Sequence, residues 1–200
     1  MSTVKHSDHD LLQQWIHAGS RVLDLGCGDG TLLKQLLQSK QIQGYGIEND
    51  REFIIAGIDN GINVLEQNLN DGLTDFPDNS FDTVLMTQAI QAMSRPDEVL
   101  DEMLRVGKEC IITFPNFGNW RARWHLAIKG RMPVTKQLGW QWYNTPNIHF
   151  CTVNDFEALC QQKGIRVLNR TMVSEQFPDN SLQQVLPNLF AQTAIYHLSK

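Results

Sequence analysis

The sequence lacks most of the features that would assign a chemistry at sight. Cysteine is scarce, four in 200 residues, and Cys27, Cys110, Cys151 and Cys160 show neither a CxxC spacing nor a companion histidine pattern. That excludes a zinc ribbon or a dithiol redox motif and leaves four reduced thiols of a cytoplasmic protein. Positive charge is not in excess: 17 Lys plus Arg stand against 22 Asp plus Glu, a net charge of -5, which argues against a nucleic-acid partner. Long apolar runs are missing too. The stretch Cys110-Ile111-Ile112-Thr113-Phe114 is far too short to span a bilayer, and the polar start from Met1 to Asp10 has no signal-peptide core. There is no GxSxG elbow, no HExxH helix and no P-loop lysine motif. His6 and His9 are three apart without further ligands nearby, so no metal site is expected. With 42% hydrophobic and 20% charged residues, the composition is that of a soluble globular protein. Its length suits one domain with a sizeable core, 1–200.

What is present alternates. A short helix is expected over Asp8–His17, with Leu11, Leu12, Trp15 and Ile16 on one face. A strand at Arg21–Leu25 runs into a glycine loop, and Thr31–Ser39 spaces Leu32, Leu33, Leu36 and Leu37 as a helix. Strands follow at Gln43–Glu48, at Ile62–Glu66, at Thr83–Met86 after the turn Pro77-Asp78-Asn79, and at Glu109–Phe114. Helices are expected from Asp50 to about Ile58 and from Pro96 to Arg105, proline being free at a helix start. Alternation of this kind implies a parallel sheet covered on both faces, a Rossmann-like α/β fold. Ligands bind such sheets beyond the carboxyl ends of the strands, where strand order reverses. From 115 to about 150 the pattern changes to an amphipathic helix candidate, Gly118–Lys129, and a loop-rich stretch holding Pro133, Gly139 and Pro146. Thr152 then caps a helix ending at Gly164, with Asp155 completing a capping box. Ile165–Ser174 and Ala194–Ser199 are expected to close the sheet.

The glycine loop is the most informative motif. Gly26, Gly28 and Gly30 lie between a strand and a helix, where glycine accepts positive φ and admits a ligand to bare backbone. A dinucleotide fingerprint would need glycine at 31, which is Thr31. The acid before the loop, Asp24, and Asp29 within it complement a cation, so the loop favours S-adenosylmethionine (SAM), with its sulfonium and ammonium groups, over NAD. Glu48, at the end of the second strand, is placed to accept from both ribose hydroxyls of an adenosine. Each acid also has a local reading: Asp24 bonded to turn amides, Asp29 as a helix cap, Glu48 as a solvated strand end.

Three further segments accompany this loop: Phe76-Pro77-Asp78-Asn79-Ser80-Phe81-Asp82, then Phe114-Pro115-Asn116-Phe117-Gly118-Asn119-Trp120-Arg121, and the pair Gly130–Lys136 and Trp142–His149. With Arg21–Gly30 they resemble, over nearly the whole chain, the MetW family of methionine-biosynthesis proteins within the class I SAM-dependent methyltransferase superfamily. The resemblance implies a seven-stranded, mostly parallel sheet with an antiparallel last strand and a helical and loop insertion after the fifth. It implies SAM or S-adenosylhomocysteine bound through Asp24, Gly26, Cys27, Gly28, Gly30, Glu48, Asn49, Asn68, Leu69 and Thr87. Asn68 stands where many members carry an aspartate for the adenine amino group; its carbonyl accepts without charge. Leu69 would pack on the adenine. A partnership with homoserine O-acyltransferase is also implied.

Catalytic groups are sparse. Methyl transfer depends chiefly on positioning. Thr87, Gln88 and Gln91, beyond the fourth strand, do not titrate near neutrality. Asn116 could hold a substrate carbonyl or amine, and Tyr143 and His149 are the candidate bases. Four of the five tryptophans fall in the insertion, Trp120, Trp124, Trp140 and Trp142, among Arg121, Arg123, Lys129 and Arg131. They read as an interface, as core against the sheet with Trp120 and Trp124 one turn apart, or, as favoured here, as a mixture in which some Trp are buried and the arginines serve a partner or an anionic substrate. Three functions stay open: a SAM-binding accessory of the acyltransferase, a methyltransferase acting on a small molecule, or a partner that has lost its ligand.

Overall fold

The computed structural model describes residues 6–134, 139–174 and 181–200. Thr135 and Lys136 of the third motif, and the side chains of His6 and His9, lie outside what is described. The chain runs α1 (His6–Trp15), β1 (Arg21–Leu25), α2 (Thr31–Lys40), β2 (Gln43–Glu48), α3 (Arg51–Asp59), β3 (Asn63–Glu66), β4 (Phe81–Thr87), α4 (Pro96–Val106) and β5 (Gly107–Pro115). It continues with α5 (Trp120–Lys129), α6 (Val153–Lys163), β6 (Arg166–Val173), α7 (Ser181–Val185), α8 (Pro187–Phe190) and β7 (Thr193–Ser199). Short 3-10 turns at Leu69–Asp71 and Ile90–Ala92 were not anticipated, nor were α7 and α8.

The seven strands form one sheet in the order β3-β2-β1-β4-β5-β7-β6. β1 to β5 pair in parallel, and β7 runs antiparallel between β5 and β6. The two-residue repeat of a strand sends its side chains to opposite faces. Val22, Leu85, Ile111 and Ile195 therefore meet α1 and α2 through Leu12, Ile16, Leu33 and Leu36. Leu23, Leu25, Val84, Met86, Ile112 and Phe114 meet α4 and α6 through Leu100, Met103, Phe156 and Cys160. On this second face Phe114, Phe156 and Tyr196 pack with ring centroids 4.8–5.9 Å apart.

Caps place the ends. Asp50 caps α3 by accepting from the Glu52 N–H, and Thr152 and Asp155 form the expected capping box on α6, which stops at Gly164 in a left-handed conformation. α5 starts at Trp120, two residues later than its composition suggests, because Asn119 is its cap. β5 begins two residues early, at Gly107, where pairing with Phe81 extends the ladder. Arg105 at the end of α4 secures the Phe76–Asp82 motif: it donates to the carbonyls of Leu73 and Phe76 and pairs with Asp78 and Glu102.

One change of direction in strand order sets the site. From β1 the chain moves outward through β2 to β3, then returns across β1 to β4, so a crevice opens beyond the carboxyl ends of β1 and β4. The strand beside that crevice must be thin. A Cβ on Gly46 of β2 would overlap Cys27 Sγ and lie 3.0 Å from Cys27 Cβ. Gly46→Ala is expected to cost about 1–3 kcal/mol by overpacking. Adding Cys27→Ala should recover most of that loss, since the two side chains compete for one volume. Urea unfolding of the two single variants and the double variant checks the cycle; additive costs would break the link.

Candidate functional site

The loop after β1 is shaped by backbone bonds before any side chain acts. The N–H groups of Gly26 and Cys27 both donate to Ile47 O on β2, at 2.8 and 3.1 Å. Gly28 has φ +55°, and a Cβ there would meet nothing within 4 Å, so the turn needs glycine for its conformation and leaves open space above it. Asp29 accepts from the Thr31 N–H at 3.0 Å, a local turn contact ahead of α2, whose N-cap is Gly30. Gly30 is turned the other way: its Cβ position lies 2.8 Å from Ile62 Cγ1 and 3.5 Å from Gly57 Cα, so it packs the loop against α3 and the residue before β3 and does not line the crevice.

Glu48 closes β2 and binds the loop. Its Oε2 accepts from the Gly28 N–H at 2.9 Å, while Oε1 accepts from the N–H groups of Asn49 and Asp50 at 2.8 and 3.1 Å. A carboxylate offers about four acceptor positions, so this arrangement leaves capacity for a further donor. Asp24 differs. It is 1% exposed, and its Oδ1 is buried without a hydrogen-bond partner. Burial, with the nearby Glu48 charge, raises its pKa from 3.8 to about 7. Burial, then the charges of Asp24 and Glu48, push the Cys27 thiol up to about 12, so it is a protonated wall and not a nucleophile.

These groups line a cavity of about 770 Å³, within the range of small-molecule sites. Asp24, Gly26, Cys27, Gly28, Glu48, Asn49, Asn68, Leu69 and Thr87 all border it. Asn68 caps the 3-10 turn Leu69–Asp71, its Oδ1 accepting from both nitrogens of Asn70, so its carbonyl is largely committed to its own turn. Leu69 is buried at the wall. Asp29 borders it as well, and Phe53, Gln67, Gln88, Met93, Pro146 and Asn147 are further lining residues that were not among the expected cofactor contacts. Gln88 sits at φ +55° with its N–H on Thr113, a feature invisible without the fold. Pro146 and Asn147 come from the insertion, and only tertiary packing brings them to the rim.

The three candidate catalytic residues do not converge here. Asn116 is buried, and both ends of its amide are spent. Its Nδ2 donates to the carbonyls of Asn188 and Ala191, and its Oδ1 accepts from the N–H groups of Gly118 and Val153. It ties β5 to α6 and α8. Tyr143 is 70% exposed and stacks edge-on with Trp142. His149 is exposed, with Nε2 3.3 Å from Ser94 O. None of the three lines the cavity. Gln91 donates to Gln88 O and is buried behind the wall. The tryptophans of the insertion are all outward, from 37% exposed at Trp120 to 73% at Trp142. The core reading of Trp120 and Trp124, and with it the buried part of the mixed reading, therefore does not hold, because only Ala122 of α5 is buried. Among the described residues no cluster of His, Cys, Asp and Glu suits a metal ion, and no helix is long and apolar enough to cross a membrane.

Comparison with known proteins agrees with this geometry. The family model described as methionine biosynthesis protein MetW matches residues 6–198. The chain is 37% identical over 202 residues to the bifunctional methionine biosynthesis protein MetXA/MetW of Rhodopirellula baltica, covering 94% of this chain and 32% of that protein. It thus spans about a third of the length of that curated relative. Among solved structures, a SAM-dependent methyltransferase from Mesorhizobium loti superposes with a TM-score of 0.70 at 14% identity, covering 96% of both chains. The cyclase SpnF superposes with a TM-score of 0.70 at 18% identity, over 97% of this chain and 80% of that one. One fold serves more than one chemistry among these neighbours. With the match to residues 6–198, the 37% identity and the shared seven-stranded sheet, the chain belongs to the MetW family and carries the class I SAM-dependent methyltransferase fold.

Proposed function

We propose that this chain binds SAM in the crevice beyond β1 and β4 and serves methionine biosynthesis in the cytoplasm as a partner of homoserine O-acyltransferase. The single observation that carries the ligand reading is the buried, unpartnered Oδ1 of Asp24 beside Glu48. Two neighbouring carboxyl groups, one without a donor, favour a cationic occupant. SAM brings a sulfonium and an ammonium, and its chemistry when bound is that of an activated methyl group. Asp24 would offset the positive charge, Glu48 would accept from the ribose while keeping the Gly28 amide in place, and Leu69 would cover the adenine. Gly26, Cys27, Gly28, Asn49 and Thr87 border the same space. Gly30 supports it from behind.

The partner reading draws on the relative from Rhodopirellula baltica, whose name joins MetXA and MetW in one chain. Covalent linkage of two units raises the effective concentration of one at the other, which benefits functions that act together. An accessory role also suits a cavity whose wall carries none of Asn116, Tyr143 and His149. We read the chain as one domain, with 115–150 inserted.

Glu48→Ala should weaken SAM binding at least tenfold by calorimetry, about 1.4 kcal/mol; unchanged affinity would remove Glu48 from the site. Asp24 binds more protons folded than unfolded between about pH 4 and pH 7, so ligand-free stability falls as pH rises through that window. Asp24→Asn should flatten that slope, stabilise the ligand-free chain at pH 8 by roughly 1–4 kcal/mol, and reduce the rise in melting temperature that SAM produces. A variant that keeps both the wild-type pH slope and the full SAM response would contradict the assignment. Co-purification with the acyltransferase, run with and without SAM and followed by its turnover, tests the partnership. No complex at micromolar concentrations would end it, and release of S-adenosylhomocysteine from SAM plus a small-molecule acceptor would favour a methyltransferase.

A further inference from the structure

The segment between β5 and α6 is apolar and aromatic, and its sequence contains no acid. Between Glu109 and Asp155 the chain contains no Asp or Glu, while it contains Arg121, Arg123, Lys129, Arg131 and Lys136. The remainder of the chain holds 12 Lys plus Arg against 22 Asp plus Glu. Charge is therefore segregated. α5 is also packed in the reverse of the usual sense. Trp120, Trp124 and Ile128 follow one another at four-residue intervals, which forms a stripe on one helix face. That stripe points outward, with Trp124 64% and Ile128 65% exposed, while small Ala122 is the buried contact. Arg121 lies over the Trp120 ring at 5.5 Å, so cation and aromatic are presented together.

The second flank of this surface is the stretch from 139 to 150. Trp142 and Tyr143 stand edge to face and are more than two-thirds exposed. Phe117, three residues ahead of α5, packs on Phe150 at 4.7 Å, so the two flanks adjoin at their roots. Besides that ring contact, the loop is hung by backbone bonds: the N–H groups of Ile148 and His149 both donate to Gln91 O. Exposed Trp, Tyr and Arg in this density are what binding hot spots use, and scattered solvation does not explain a stripe of this width.

We infer that α5 and the 139–150 loop form the docking face for the acyltransferase, through an acidic and apolar patch on that enzyme. The inference rests on the partnership proposed above and says which surface carries it. Charge decides the occupant. A cationic, acid-free face on a chain with a net charge of -5 attracts a local acidic patch at contact range, within about one Debye length. A polyanion such as RNA or an anionic membrane would meet the repulsion of the whole molecule. Complementary charge of this kind acts mainly on register and association rate, and the aromatic rings supply the buried core of the contact.

The test compares the acyltransferase affinity of the wild-type chain, Trp124→Ala with Trp142→Ala, Lys129→Glu with Arg131→Glu, and Ile58→Ser on the distant exposed face of α3. The aromatic pair is expected to raise Kd at least tenfold and the charge reversal at least fivefold, the latter less at high salt. Ile58→Ser should change nothing, and all variants should keep the wild-type melting response to SAM. A wild-type complex that survives both double variants, each folded by that response, overturns this surface and leaves the partnership standing. A wild-type chain that forms no complex overturns both. If the aromatic pair does not fold, the charge reversal alone decides. Loss in these variants of self-association, or of binding to RNA or to phosphatidylserine vesicles, with acyltransferase affinity retained, also overturns it.

Discussion

The crevice beyond β1 and β4 depends on one carboxylate. Glu48 stands at the end of β2 and accepts the Gly28 amide with one oxygen and two amides of the α3 entrance with the other. It thereby joins the loop after β1 to the turn after β2, two segments with no covalent reason to stay together. Hydrogen bonds to a charged acceptor are the stronger kind, and backbone donors cannot turn away by rotating a side chain. The glycine loop keeps an open face because this anchor and the Ile47 carbonyl hold it from one side. Asp24 behind it can then remain buried without a partner, a costly state that a folded chain seldom keeps without use.

A second polar knot holds the other half of the molecule. Asn116 and Asn119, three residues apart in one short motif, bind the carbonyls of Asn188, Phe190 and Ala191 while receiving amides from Gly118, Val153 and Arg121. The bonds to Asn188, Phe190, Ala191 and Val153 join segments distant in the chain, while those from Gly118 and Arg121 are local. This knot fastens the insertion at its base through polar contacts. The tryptophans beyond it and Tyr143 face solvent. Stability and surface recognition are divided between neighbouring residues of the same segment.

Much of the architecture was legible from local pattern. The strand and helix alternation, the capping box Thr152–Asp155 and the stop at Gly164 are all present near their expected positions. The glycine loop was legible because positive φ demands glycine at particular spacings, and Gly26, Gly28 and Gly30 all adopt it. Residue roles were less so. Gly30 shares the motif with Gly28, yet it packs on Ile62 while Gly28 faces open space. Asn116 looked like a polar group awaiting a substrate and is a saturated structural link. Nothing within four residues of it distinguishes the two.

The sequence by itself determined the alternation of strands and helices and the glycine loop beside the crevice, since periodicity, caps and glycine conformation are properties of a few adjacent residues. Tertiary structure alone decided that Asp24 would lack a donor, that Pro146 and Asn147 would reach the rim, and that the α5 stripe would turn to solvent. Those outcomes depend on which distant groups meet. A carboxylate is satisfied or not by residues from other strands, and an apolar stripe is core only if some other element covers it.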